Sequence, residues 1–98
     1  MEKKKSEKGP TINSEVSITN SLGLHASAAA KFVKTASQYK ADSFVAKGGE
    51  RVSGQSVMGL MMLAATPGSK IKIITQGIEA EQALAALKKL VEDKFGEE

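Results

Sequence analysis

The sequence contains no cysteine, no tryptophan and a single histidine among its 98 residues. The lack of cysteine rules out a disulfide framework, thiolate metal ligands and a thiol nucleophile together. With one histidine and no cysteine, a zinc site made by the protein is not expected. Aromatic residues make up 4% of the chain, so the core must be built mainly from aliphatic side chains and alanine. We expect no metal and no organic cofactor.

Long apolar runs are also missing, so no segment is predicted to cross or insert into a membrane. The formal net charge is +3, and much of the excess lies in the first ten residues, MEKKKSEKGP, which lack the apolar centre of a signal peptide. No aromatic residues are interleaved with these lysines to stack on bases, so nucleic-acid binding is not expected. We therefore predict a cytoplasmic protein with a flexible basic leader over residues 1–13 and one folded domain over residues 14–98.

Hydrophobic spacing and turn residues predict seven elements in the order β-α-β-β-α-β-α. Gly48-Gly49 is typical of a two-residue hairpin, although the pattern leaves open whether Phe44 or Val45 faces the core. Strands interrupted by helices, with one hairpin, indicate an α+β fold whose sheet carries its helices on one face. The predicted ranges are 14–19, 26–39, 42–47, 50–53, a short helix from residue 56 that stops before 67–68, 70–75 and 79–95.

The short helix that begins at Ser56 is predicted to have two different faces. Ser56 itself is a favourable N-cap, because its hydroxyl can accept a hydrogen bond from the first turn. Helical spacing predicts an inner stripe of Val57, Leu60, Met61 and Ala64, and it turns Met58, Gly59 and Met62 outward.

His25 is the candidate functional residue. It follows Gly23-Leu24 and immediately precedes a helix whose first residues are small. The unpaired N–H groups of such a helix start, with the positive end of the helix dipole, form an anion site beside the imidazole. Imidazole is nucleophilic near neutral pH, and phosphoryl transfer depends mostly on positioning and charge stabilisation. The pattern therefore predicts phosphate chemistry at His25. The alternative is that His25 serves only as an N-cap, a role for which histidine is poorly suited.

Two segments of the chain resemble the signature segments of HPr, the histidine-containing phosphocarrier family of the bacterial phosphoenolpyruvate-dependent sugar phosphotransferase system. One is Gly23-Leu24-His25, with the alanine-rich helix and Lys31-Phe32-Val33 after it. The other is Ser56-Val57-Met58-Gly59-Leu60-Met61. The resemblance spans about residues 14–95. It implies an open-faced sandwich in which three helices cover one side of a four-stranded antiparallel sheet.

The resemblance also implies roles for individual residues. His25 would accept a phosphoryl group on Nδ1 from Enzyme I and pass it to IIA domains, so the protein would be a carrier that turns over no small substrate itself. The N–H groups of Ala26 and Ser27 would hold the phosphoryl oxygens. Ser56 would be a regulatory site for a serine kinase and phosphorylase. We expect a monomer whose docking surface includes Val57, Met58, Met61, Lys31 and Lys34.

The chain departs from the family pattern directly after His25. HPr proteins usually have Arg-Pro two and three residues after the histidine, whereas this chain has Ser27-Ala28. A neutral serine lacks the charge that arginine offers to a phosphoryl group, so slower transfer is expected unless Lys31 or Lys34 reaches the site. Two other hypotheses remain. One is an HPr-like regulatory or binding module with weak relay activity, and the other is an unrelated small α+β binding domain.

Overall fold

The computed structural model describes residues 9–97, and within them the elements follow the predicted order. Most of the predicted leader, residues 1–8, lies outside the described residues. No helix within the described part of the chain is long and apolar enough to span a membrane. The elements are β1 (Thr11–Ser17), α1 (Ala26–Ala36), β2 (Asp42–Lys47), β3 (Glu50–Ser53), α2 (Val57–Met62), β4 (Lys70–Gln76) and α3 (Ala80–Glu92), and a 3₁₀ turn (Lys94–Gly96) follows α3.

The four strands form one antiparallel sheet in the order β1-β4-β2-β3. Val16 of β1 lies opposite Ile71 of β4, and Val45 of β2 lies opposite Ile73 of β4. The three helices cover the face of the sheet to which these side chains point, and a single core fills the space between them. The predicted fold is therefore confirmed as an open-faced sandwich. The largest fully buried apolar side chains are Phe32, Phe95, Ile18, Leu60, Ile71, Ile73, Leu87, Val45 and Val91.

The hairpin of β2 and β3 is confirmed with its predicted bounds. Gly48 and Gly49 have φ of 57° and 89°, values that non-glycine residues rarely adopt, and they form the two-residue turn. Val45 is the core-facing residue that the sequence left undecided. Phe44 is half-buried on the opposite face of the sheet, where the Arg51 guanidinium lies 4.1 Å from its ring centroid.

The first strand begins earlier than predicted. Residues 11–13 pair with residues 74–76 of β4, so they belong to the sheet and not to the leader. The strand ends at Ser17, two residues before the predicted end, although the Ile18 N–H still donates to the Ser69 carbonyl at 2.8 Å. Ile12 is the one apolar residue of this added part, so the sequence pattern there is weak, and pairing with β4 holds the backbone in the sheet.

The first two helices end earlier than predicted. After Ala36 the Ser37 hydroxyl donates to the Val33 carbonyl, which also accepts the Ser37 N–H, and the Gln38 N–H donates to the Thr35 carbonyl in a tighter closing turn. Helix α2 ends at Met62, and Ala64 then adopts a φ of 51°. The chain must leave the helix there because the Ala65 carbonyl accepts a hydrogen bond from the Leu24 N–H at 2.9 Å.

The predicted inner stripe of α2 is partly wrong. Leu60 is fully buried and Val57 is partly buried against the core, as predicted, but Met61 is 43% exposed and Ala64 is exposed. Leu63 takes the core position instead, because the helix ends before the fourth residue of the predicted stripe could complete it. The outward prediction for Met58 and Met62 is confirmed.

The last helix is also shorter than predicted, and this difference affects the site. Helix α3 ends at Glu92, and Lys94 and Phe95 adopt left-handed φ values of 57° and 56°. This reversal directs the Phe95 side chain into the core, where it is 1% exposed. A continuous helix through residue 95 would have carried the next residues away from α1. Instead the chain returns across the start of α1.

Candidate functional site

His25 occupies the N-cap position of α1, with extended backbone angles, but its side chain makes no capping hydrogen bond. The position is therefore that of a cap, while the imidazole is available for other contacts. The side chain is 28% exposed. The alternative that His25 acts only as a cap finds no support in these contacts.

The backbone N–H groups directly after His25 are those that the sequence predicts to form an anion site. The first backbone hydrogen bond of α1 runs from the Ala29 N–H to the His25 carbonyl at 2.9 Å, so the preceding N–H groups of Ala26, Ser27 and Ala28 have no partner within the helix. The side chains of Ala26 and Ser27 are exposed, and there is no acidic residue in the first turn. A phosphoryl group bound here would meet uncovered donors and the positive end of the helix dipole.

The loop before His25 is held in one conformation by close backbone packing. Gly23 has a φ of 65°, and a Cβ at that position would lie 2.4 Å from the Ala65 carbonyl oxygen. Only glycine therefore fits without moving the loop. The fully buried Asn20 side chain donates from Nδ2 to the Gly23 carbonyl at 2.8 Å. These contacts explain why the imidazole of His25 is presented at a fixed place.

Glu97 is the site residue that the sequence did not predict. Its carboxylate oxygens lie 2.9 Å and 3.1 Å from Nε2 of His25. The same carboxylate lies 3.4 Å from Nδ2 of Asn20 and 3.5 Å from Nζ of Lys31. Within residues 9–97 no group of three or more acidic or histidine side chains is arranged to hold a metal ion.

These contacts hold the pKa of Glu97 below its ordinary value of 4.5. The hydrogen bond with His25 is the main cause, and the hydrogen bond with Ser27 and the nearby charges of His25 and Lys31 add to it. Partial burial acts in the opposite direction and raises the pKa. The carboxylate therefore remains ionised throughout the neutral pH range.

We expect the Glu97 contact to break only in acid. Because the pKa is lowered in the folded protein, the stabilisation from this carboxylate is present above about pH 4.5 and disappears as pH falls through the lowered value. A ¹³C titration of the Glu97 carboxyl group should show a midpoint below the ordinary value. In His25→Ala the midpoint should rise, since the main cause is removed. The same midpoint in both proteins would contradict this assignment.

The two lysines predicted near the site differ in their placement. Nζ of Lys31 donates to the Phe95 carbonyl at 3.0 Å and lies within 3.5 Å of Glu97, so this ammonium reaches the cluster around His25. Lys34, one turn further along α1, is exposed. Lys31 is therefore the lysine that brings positive charge to the cluster around His25. Ser27, which is neutral, brings none.

Ser56 lies at the start of α2, as the sequence predicted. Its hydroxyl accepts a hydrogen bond from the Gly59 N–H at 2.9 Å, which confirms that it is an N-cap. Met58 and Met62 on this helix and Leu22 in the loop before His25 are each at least 70% exposed. Helices α1 and α2 pack against each other, so both elements border the same surface of the molecule.

Replacing Ser56 with alanine should destabilise the fold by roughly 1 kcal/mol, because the Gly59 N–H loses its capping acceptor. Ser56→Asp should retain most of the stability, since aspartate caps as well as serine does. Urea unfolding of the three proteins measures the difference. Equal destabilisation by alanine and aspartate would show that the cap contributes nothing measurable.

The fold and the site together define a class of protein. An open-faced α+β sandwich presents one imidazole at the uncovered N-terminus of a helix, which is the arrangement expected of a histidine phosphocarrier. The family model described as "PTS HPr component phosphorylation site" matches residues 12–93. The chain belongs to the HPr family of the phosphotransferase system.

Individual relatives agree with this assignment. The chain is 46% identical to phosphocarrier protein HPr of Neisseria meningitidis serogroup A over 86 residues, which cover 88% of this chain and 97% of that protein. The crystal structure of an HPr from Thermoanaerobacter tengcongensis superposes with a TM-score of 0.85 at 40% identity, covering 89% and 98% of the two chains. The Bacillus subtilis catabolite repression protein Crh, described as a domain-swapped dimer, gives a TM-score of 0.70 at 37% identity, covering 81% and 91%.

Proposed function

We propose that this protein carries phosphoryl groups on Nδ1 of His25, accepting them from Enzyme I and passing them to IIA domains in sugar transport or in its regulation. Membership of a phosphocarrier family supports the proposal. The observation that carries it is the position of His25 directly before three backbone N–H groups that have no partner in α1.

The chemistry of the transfer follows from the contacts of the imidazole. A carboxylate only accepts hydrogen bonds, so Nε2 of His25, which lies 2.9 Å from Glu97, carries the ring proton. The lone pair is then on Nδ1, which attacks the phosphorus of the donor. The new N–P bond forms as the bond from phosphorus to the donor breaks, and the electron pair of that bond remains with the donor. The N–H groups of Ala26 and Ser27 are proposed to hold the phosphoryl oxygens.

A two-step relay experiment tests the proposal. The protein is incubated with Enzyme I and labelled phosphoenolpyruvate, repurified, and then mixed with a IIA domain. We expect one acid-labile label per chain in the first step and its movement to the IIA domain in the second. No label on the wild-type protein would contradict the carrier function, and a label that does not move would contradict the relay.

Introducing arginine at Ser27 should accelerate phosphorylation of His25. A charge-assisted hydrogen bond to the transferred group contributes about 1.5–3 kcal/mol, so the rate should rise roughly 10- to 100-fold if the missing charge limits transfer. Ser27→Gln is the matched control, because it adds a long side chain without the charge. A rate unchanged by arginine would mean that another group, such as Lys31, already supplies this charge.

A second candidate function is regulation with weak relay activity. Two observations favour it. The residue two positions after His25 is the neutral Ser27 and not an arginine, and the related Crh is described as a catabolite repression protein. In this role a serine kinase would phosphorylate Ser56, and a phosphorylase would reverse the reaction. The phosphate would lie at the start of α2, where negative charge is tolerated, and would alter the surface formed by Val57, Met58 and Met61. Incubation with such a kinase and ATP should give an acid-stable label that is absent in Ser56→Ala.

We further propose that the protein is a cytoplasmic monomer whose partners dock beside His25. Lys31 and Lys34 lie on α1 and the exposed methionines lie on α2, a combination suited to acidic partners of more than one shape. Light scattering, at the protein concentrations of the transfer assay, measures the molar mass in solution and should give that of a monomer. A dimer, as described for Crh, would contradict it.

A further inference from the structure

The segment after α3 enters the proposed transfer only through the contact of Glu97 with Nε2 of His25, yet the structure holds the whole segment against the site. Phe95 is buried in the core after the two left-handed residues, and its carbonyl accepts a hydrogen bond from Nζ of Lys31 at 3.0 Å. Glu97 then lies two residues beyond this anchor. Its carboxylate is thus brought to the imidazole by buried packing and not by a chance contact of a long surface side chain.

The carboxylate of Glu97 engages one nitrogen of the imidazole. Both of its oxygens lie within 3.1 Å of Nε2 of His25. Nδ2 of Asn20 and Nζ of Lys31 lie 3.4 Å and 3.5 Å from the same carboxylate, so one group from the loop and one from α1 also hold it in place. Among the described residues none donates to or accepts from Nδ1 of His25.

We propose that Glu97 is a positioning residue for His25: its carboxylate keeps the proton on Nε2 and leaves the lone pair on Nδ1 for the phosphoryl group. The inference rests on the proposed function, because it assigns a role in that transfer. It adds a residue that is distant from His25 in the sequence. The hydrogen bond between Glu97 and His25 resembles the carboxylate–histidine hydrogen bonds that orient the imidazole in metal sites and in catalytic triads.

The effect on the reaction follows from the charge balance. When Nδ1 of a neutral imidazole forms the N–P bond and Nε2 keeps its proton, the ring becomes positively charged. A carboxylate 2.9 Å from Nε2 stabilises that charge as it develops and favours the transfer. When the phosphoryl group leaves for the next acceptor, the electron pair of the N–P bond returns to Nδ1 and the ring is neutral again. Glu97 remains ionised throughout and exchanges no proton.

Imidazole nitrogen shifts test the positioning directly, without any partner protein. In ¹⁵N-histidine-labelled protein, at a pH where the ring is neutral, the wild type should show a protonated Nε2 and an unprotonated Nδ1. In Glu97→Ala the two shifts should move towards each other as the tautomers exchange. Glu92→Ala, which removes an exposed carboxylate at the end of α3, is the matched control and should leave both shifts unchanged. A wild-type Nδ1–H, or identical spectra for wild type and Glu97→Ala, would overturn the inference.

The transfer rate provides the second readout. Glu97→Ala should slow phosphorylation by Enzyme I about 10-fold or more, the usual effect of losing a partner that orients a histidine. It should also slow phosphorylation by phosphoramidate, a small donor that needs no docking surface. Glu97→Gln keeps an acceptor oxygen without the charge, so its rate should lie between the two. Wild-type rates for Glu97→Ala with both donors would overturn the inference. Failure of Enzyme I to phosphorylate the wild type, with the expected nitrogen shifts, would instead contradict the relay alone.

Discussion

Replacing His25 with alanine should abolish phosphorylation by Enzyme I and phosphoenolpyruvate, lowering the acid-labile label to background. His25 is the only histidine of the chain, and the chain has no cysteine. Neither a second imidazole nor a thiol can therefore replace it as the nucleophile. The loss should be complete and not partial, because the N–H groups of α1 can bind a phosphoryl group but cannot form a bond to it. Scintillation counting after gel separation at alkaline pH measures the label.

His25→Gln is the matched control for the shape of the site. Glutamine is similar in length and retains a polar end for Glu97, yet it is not a nucleophile. Both variants should remain folded, because the His25 side chain makes no capping bond and lies outside the core. An acid-labile label that persists in both folded variants would show that another residue carries the phosphoryl group. An acid-stable label would point to a hydroxyl such as that of Ser56.

The largest effect on stability is expected for Phe32→Ala. Phe32 is fully buried on α1, among the side chains that join this helix to the sheet. Removal of a buried phenyl ring leaves a cavity and typically costs about 3–5 kcal/mol, a large part of the stability of a domain this small. Urea unfolding followed by circular dichroism should show a much lower midpoint, and His25 should lose its fixed position as α1 loosens.

Phe44→Ala is the control that shows whether the stability cost of Phe32→Ala comes from burial in the core or from the loss of any phenyl ring. Phe44 is half-buried on the opposite face of the sheet, where its ring contacts the Arg51 guanidinium. Losing this contact and part of the buried area should cost about 1 kcal/mol. A similar cost for Phe32→Ala and Phe44→Ala would contradict the assignment of the core to the helix-covered face of the sheet.

The parts of the fold that the sequence predicted are those governed by local signals. Gly48-Gly49 requires positive φ, and the hairpin around it was predicted with its observed bounds. Errors arose where a distant partner decided the structure. Residues 11–13 became strand by pairing with β4, and α2 ended early because the Ala65 carbonyl bonds to Leu24. Neither partner lies within the window over which periodicity can be read.

The site was predictable to the same extent. His25 and the N–H groups of Ala26 and Ser27 can be assigned from adjacent residues, and in the structure these N–H groups have no partner within α1. Glu97 was missed because its contact with His25 spans 72 residues and depends on left-handed angles at Lys94 and Phe95. Gly96 was the one available signal that the helix had ended, although glycine there does not indicate in which direction the chain turns.

Phosphorylation of Nδ1 of His25 is tested most directly by NMR of the phosphorylated wild-type protein with ¹⁵N-labelled histidine. After incubation with Enzyme I and phosphoenolpyruvate, we expect a single phosphoramidate resonance in the ³¹P spectrum, with coupling between phosphorus and Nδ1 and a proton still on Nε2. Absence of this resonance in a protein exposed to active Enzyme I, or coupling of phosphorus to Nε2, would contradict the proposed carrier chemistry.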